Sequence, residues 1–319
     1  MAKIFNIETI YKGIGGIHMS KVSIQKKEYK GWKNCVEVSN GIIDIIATTD
    51  VGPRIIRFGF VGKENEFCEV EEQLGKTGGD EWRIYGGHRL WHSPEDKRRS
   101  YHPDNTPVQW KEIENGIVLT QDTEPWAQIK KEIELVMSPD KAEVKVIHRM
   151  TNMGAWDIEL AAWALSVMAP GGKQIVPQVT RDTGLLPNRM MSLWPYTKLN
   201  DHRVYWGEKY ITIQQDPNEK TAFKIGLPNE DGWAAYINHG HMFVKKFNHY
   251  MDAIYPDYTA SSYETYTIDF MMEMESLSPL ELLAPGDTIE HEETWTLIDN
   301  VNVPADEKEI DEKILPLVK

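Results

Sequence analysis

The segment Ile129 to Met137, in which apolar and charged side chains alternate, constrains this chain more than any other single feature. A period of two sends successive side chains to opposite faces of an extended strand, so such a segment fits a sheet with one face buried. The same alternation recurs at Ile43-Asp44-Ile45-Ile46, Val144 to His148, Tyr210-Ile211-Thr212-Ile213 and Tyr266 to Ser276. Turn formers separate these runs: Asn40-Gly41, Asn115-Gly116, Ser138-Pro139-Asp140, Asn229-Glu230-Asp231-Gly232 and Ala284-Pro285-Gly286-Asp287. Together they predict an all-β chain of antiparallel hairpins and meanders. Strand-helix-strand alternation is missing, which argues against a doubly wound parallel sheet. One helical pattern is predicted, in the tail 304–319, where Pro304-Ala305-Asp306 opens a peripheral helix running through Asp311-Glu312-Lys313. With no repeat, linker or composition shift, the 319 residues read as a single domain, because large β sandwiches exceed the usual domain size without splitting.

Composition narrows the partners. A hydrophobic content of 41% supports a sizeable core, and a formal net charge of −14 argues against nucleic acid, whose binding draws on clustered Lys and Arg. The cluster Lys97-Arg98-Arg99 adjoins Glu95 and Asp96 and reads as a solvated loop. Two cysteines, Cys35 and Cys68, are too few for a disulfide framework and read as buried thiols. Met1 to Gly16 offers no apolar run suited to a signal peptide, and no stretch approaches a membrane span, so the expected location is the cytoplasm. The Gly-x-Ser-x-Gly elbow, the Walker loop and the Gly-x-Gly-x-x-Gly fingerprint are absent, so no cofactor is expected.

Two long stretches without clear periodicity, Gly75 to Thr106 and Ala169 to Tyr205, are rich in Trp, Tyr, His, Arg, Gly and Pro, as functional loops are. The densest chemistry is Gly86-Gly87-His88-Arg89-Leu90-Trp91-His92-Ser93-Pro94-Glu95. His88 or His92 suits a general acid near neutral pH, and Arg89 suits ligand hydroxyls or a carboxylate. The i, i+4 spacing of His88 and His92 invites a metal reading, but tandem glycines and the lack of a His-Glu-x-x-His motif argue against it. In Tyr266 to Ser276, alternation puts Asp269, Glu273 and Glu275 on one face, where mutual repulsion raises the pKa of any carboxyl that is partly buried. With 11 Trp and 13 Tyr, many beside these loops, the chain has the aromatic faces on which sugar C–H faces stack.

Four segments resemble the galactose mutarotase-like (aldose 1-epimerase) superfamily: Val51-Gly52-Pro53-Arg54-Ile55-Ile56-Arg57 to Phe60, with Lys63-Glu64-Asn65; Gly86 to Trp91; Thr151-Asn152 with Ile158 to Met168; and Glu275 through Leu283-Ala284-Pro285-Gly286-Asp287 to Trp295. The resemblance implies a large antiparallel β-supersandwich and a free sugar or sugar derivative as ligand. It also implies acid/base chemistry in which a glutamate takes the anomeric hydroxyl proton and a histidine protonates the ring oxygen. On this resemblance Glu275 is the base and His88 the acid, with Arg54, Arg89, Trp91, His92 and Trp163 as substrate-binding residues. Arg189 and His202, read from residue type in a segment unlike the family, suit an acidic or phosphate substituent on the sugar, with surface pairing to Asp182 and Asp201 as the alternative. Trp163 falls where the family has a second histidine, and an indole stacks on a sugar but cannot protonate its ring oxygen. Thr183 to Arg189, Pro195-Tyr196-Thr197 and Asp201-His202-Arg203 look unlike typical aldose epimerases and mark a divergent branch. A carbohydrate-binding protein without catalysis, or a glycoside hydrolase or lyase relative, remains open beside the isomerase.

Overall fold

The structure, a computed structural model, describes residues 22–258 and 261–319. The N-terminal segment read for a signal peptide lies outside them. Two antiparallel sheets, of eleven and ten strands, face each other. The long Ile158–Met168 strand is central to the first sheet, paired on one side with Gly87–Ser93 and on the other with Met271–Leu277. The next strands beyond Met271–Leu277 are Tyr263–Ile268 and Phe223–Leu227.

Inner faces of both sheets close one core. Leu90, Ala162, Met272 and Met274 from the first sheet pack with Leu135, Val146, Phe243 and Trp295 from the second. Aromatic edges lock the layers, with the Phe58 and Phe67 rings 5.6 and 5.5 Å from that of Trp295. Such edge contacts add to the area that the rings bury. The alternating segment Ile129–Met137 behaves as read, its odd-numbered residues buried and its even-numbered ones half-buried. Both cysteines are buried free thiols.

Several local expectations are corrected. Tyr266 to Ser276 is a hairpin, not one strand: Tyr263–Ile268 turns at Asp269 and Phe270 into Met271–Leu277. Asp269 therefore leaves the face that Glu273 and Glu275 share. Asn229 to Gly232 and Ala284 to Asp287 carry the chain from one sheet to the other instead of closing hairpins. The unpatterned stretch Gly75 to Thr106 contains the Gly87–Ser93 strand, which is buried along its whole length and so loses the alternation that marks a half-buried strand. Strand Lys173–Pro177 and the short Ser192–Leu193 likewise interrupt the second stretch. In the tail, Asp306 caps a first turn by accepting from the Glu309 N–H. The chain then winds through a π-helical segment, Ile310–Ile314, burying Ile310, Ile314 and Val318 against Ile175, Trp233 and Val244 of the second sheet.

Candidate functional site

Register decides which residues of the Gly86 to Glu95 cluster can meet a ligand. Cross-strand partners share a face, so Arg89, Leu165 and Glu275 lie in one row, with Glu264 continuing it. Trp91 and Trp163 form the next row on that face. His88 pairs with Ser166, and Ser166 with Met274, on the opposite face that fills the core.

The outer face of this sheet forms a cleft of about 470 Å³. Its walls are aromatic: Trp82, Trp91, Tyr101, Trp163, Trp194, Tyr196 and Tyr266, with Glu95 at the edge. Trp91 stands 5.4 Å from Trp163 and 5.6 Å from Trp82 in tilted or edge-on contacts. Tyr101 donates to Glu95 at 2.6 Å, and burial together with that carboxylate pushes its phenol up.

Two ion-paired groups floor the cleft. Arg89 Nη2 donates to Glu273 Oε1 at 2.8 Å, its guanidinium 4.5 Å from the centre of the Trp91 ring. Lys224 Nζ lies 3.1 Å from Glu275 Oε2 and 2.9 Å from Glu264 Oε2, between the rings of Trp163 and Trp194 at 4.5 and 4.6 Å. The Trp163 indole N–H donates to Glu275 Oε2 at 2.8 Å, while Glu275 Oε1 accepts no hydrogen bond. Burial pushes the Glu275 carboxyl up to about 7, against the pull of Lys224 and with a further push from Glu273. Burial opposes the Lys224 charge, yet Glu264 and Glu275 together hold its pKa well above the usual range. Sequence reasoning missed Lys224, Glu264, Trp82 and Trp194 as site residues. Phe223–Leu227 is buried at every position, and nothing local sets Lys224 apart from a surface lysine.

The remaining expectations separate by position. Arg89, Trp91 and Trp163 line the cleft, and Glu275 lies fully buried behind them, against Trp163 and Lys224. The His88–Glu275 couple is corrected: His88 is on the other side of the sheet, Nδ1 2.9 Å from Ser166 Oγ and Nε2 2.7 Å from His148 Nε2. His92, on the same inner face, has its pKa pushed down to about 3 by burial and by Lys131. Arg54 is fully buried and structural, donating to Ile84 O, Gly86 O and Asp104. Arg189 is exposed and donates to Val179 O, and His202 is exposed 3.4 Å from Asp216; neither lines the cleft.

Among the described residues, His88, His148 and Glu293 bring three possible metal ligands together. Their contacts read as hydrogen bonding. The facing ring nitrogens, 2.7 Å apart, are closer than the roughly 3.3 Å that two tetrahedral zinc ligands would keep. Glu293 already faces the Lys245 ammonium at 2.9 Å.

The cleft depends on tandem glycines at its edge. Gly86 and Gly87 have φ of +98° and +71°, and a Cβ on Gly87 would lie 2.2 Å from Ile55 O. Gly87→Ala is expected to cost at least about 2 kcal/mol in urea unfolding, from strain and the backbone clash together.

No family model matches this sequence, and no curated protein matches it. Solved structures do. A galactose mutarotase-like protein from Clostridium acetobutylicum aligns with a TM-score of 0.52 at 10% identity, covering 88% of this chain and 99% of that one. A protein from Klebsiella pneumoniae, provisionally named an aldose 1-epimerase, aligns at 0.54 and 13% identity, covering 93% of this chain and 88% of that one. A TPR-domain containing protein from Parabacteroides distasonis aligns at 0.56 and 14% identity over 85% of this chain, which spans about half (49%) of that protein's length. At these identities the likeness shows the fold alone: a two-sheet antiparallel β-sandwich similar to that of the galactose mutarotase-like protein. Among the described residues no helix is long and apolar enough to cross a membrane.

Proposed function

We propose that the aromatic cleft binds a neutral sugar or sugar derivative. The observation that carries this reading is the pairing of flat aromatic walls with a floor whose cations each face a carboxylate. Aromatic rings suit the C–H faces of a pyranose, and paired ions offer hydroxyls both donors and acceptors. A charged ligand fits less well. An anion would face Glu95 and Glu273, and a cation would face Arg89 and Lys224, which already lie over the best indole faces.

Tryptophan fluorescence and ligand-observed saturation-transfer NMR against a panel of aldoses and their glycosides test the reading. Saturable binding is expected, and Trp163→Ala should weaken it by roughly tenfold, equivalent to about 1.4 kcal/mol of stacking and hydrogen bonding. A parent protein that binds no member of the panel would refute it.

A second reading, anomer interconversion with Glu275 as base, is favoured by one observation: a carboxyl pushed up to about 7 with one oxygen free of hydrogen bonds. A base poised near the working pH suits removal of the anomeric hydroxyl proton. The ring-oxygen acid would then come from the cleft and not from His88. Magnetisation transfer between anomers should be lost in Glu275→Gln; equal exchange in both proteins eliminates the role. A glycosidase would need carboxyls facing one another across the ligand, whereas Glu273 and Glu275 are neighbours on one face of one strand.

A further inference from the structure

Beneath the cleft, one ammonium faces two carboxylates with almost no water. Glu264 and Glu275 are direct cross-strand partners on the same face, both fully buried. Lys224 bridges them at 2.9 and 3.1 Å. If both carboxyls were ionised, the trio would carry a net negative charge in a dry site, an arrangement that costs several kcal/mol per uncompensated ion. Two carboxyls sharing one site relieve this by keeping a proton, and the titration then belongs to the pair.

We propose that Glu264 and Glu275 hold one proton between them at neutral pH, with Glu264 carrying it and so leaving Glu275 as the ionised partner of Lys224. The surroundings set that order. Glu275 accepts from the Trp163 indole N–H and from Lys224, both of which favour its charged form. Glu264 has Lys224 alone as a cationic contact, with the carboxylates of Asp257 and Glu275 acting against its ionisation. The other charged or titratable groups around the trio are Glu273 and Tyr266 on the cleft side, Arg89 beyond Glu273, Tyr196 above, and Lys245 and Tyr263 from the core side. Glu264 is thus a positioning residue that tunes Glu275 from the neighbouring strand. Under the anomer-exchange reading, on which this consequence rests, Glu275 takes the anomeric hydroxyl proton as the ring C–O bond breaks, an acid of the cleft protonates the departing ring oxygen, both transfers reverse on closure, and Glu264 keeps its own proton.

The test needs no sugar, so its outcome is independent of whether the cleft binds one. Protein labelled with ¹³C at the glutamate side-chain carboxyls is titrated by NMR from about pH 5 to 9. A second buried carboxyl besides that of Glu66 should remain protonated at pH 7, and its signal should vanish in Glu264→Gln. In that variant the Glu275 midpoint should stay within about half a pH unit, because glutamine mimics the neutral Glu264 that Glu275 already faces. In Glu275→Gln, Glu264 should in turn ionise at lower pH. No protonated carboxyl at pH 7 in the parent beyond that of Glu66 overturns the proposal, and that spectrum decides the matter even if the variants fail to fold. A Glu275 midpoint that falls by about a pH unit or more in Glu264→Gln overturns it equally, because Glu264 would then have been the ionised partner.

Discussion

Lys245→Met is expected to lower stability by about 3–5 kcal/mol, because it strands a carboxylate in the core. The Lys245 ammonium, fully buried between the sheets, lies 2.9 Å from Glu293 Oε1 and donates to Met274 O at 2.9 Å. Glu293 also accepts from Ser276 and, at 2.7 Å, from the Trp295 indole. Burial works against its charge, yet Lys245 and the nearby imidazoles hold its pKa below the ordinary value. Removing the ammonium leaves the anion to protonate or to draw water into a packed layer. The double replacement Lys245→Met, Glu293→Leu should recover most of the loss, since an apolar pair of similar volume replaces both ions. Urea unfolding of the parent and the two variants measures this. A single-variant cost below about 1 kcal/mol would contradict the account of that network.

Acid should leave stability nearly level at first and then remove it abruptly. Burial lowers the pKa of His88, His92, His148 and His291, those of His92 and His291 to about 3. Below an unfolded value near 6.5 the unfolded chain therefore binds more protons at these imidazoles than the fold does, so stability falls as pH falls. Three carboxyls act in the opposite sense. Burial raises Glu264, Glu275 to about 7 and Glu66 to about 8, so between pH 4.5 and 7 the fold holds protons that the unfolded chain has released. From pH 6.5 to 4.5 the two sets oppose one another, leaving a shallow slope. Under pH 4.5 the raised carboxyls are protonated in both states, while carboxyls that the fold holds low, Glu37, Asp201 and Glu293 among them, join the imidazoles in favouring the unfolded chain as it binds protons. The slope should then steepen, by about 1.36 kcal/mol per pH unit for each further proton that the unfolded chain binds. Above pH 7 stability should decline as Glu66 and the Glu264–Glu275 pair lose their remaining protons. Urea midpoints measured from pH 3.5 to 8.5 check the profile; a slope as steep at pH 5.5 as at pH 4 would contradict it.

Much of the fold was legible because it is written in alternation. Ile129–Met137 shows one wet and one dry face, and turns such as Asn40-Gly41 and Asn115-Gly116 close the hairpins expected of them. Strands buried on both faces gave no such signal, which is why Gly87–Ser93 was read as loop although it positions half of the cleft. The candidate site was legible as composition, not as geometry. Arg89, Trp91 and Trp163 do line it, yet adjacent residues of a strand point to opposite faces. A cluster such as Gly86 to Glu95 therefore divides between cleft and core. That parity turned His88 and His92 inward, and only cross-strand register reveals it. Lys224 and Glu264 come from strands far apart in sequence from Arg89, and no local pattern ties them to Glu275.

The central claim is that one cleft on the outer face of the first sheet, floored by Arg89–Glu273 and Lys224–Glu275, is where a sugar docks. Crystals soaked in the aldose that binds best in solution test it most directly. The account predicts a pyranose against Trp91 and Trp163, its hydroxyls within hydrogen-bond reach of Glu273, Arg89 or Lys224. A sugar bound instead beneath the C-terminal tail, in the cavity of about 560 Å³ beside Tyr210 and Trp233, would contradict it.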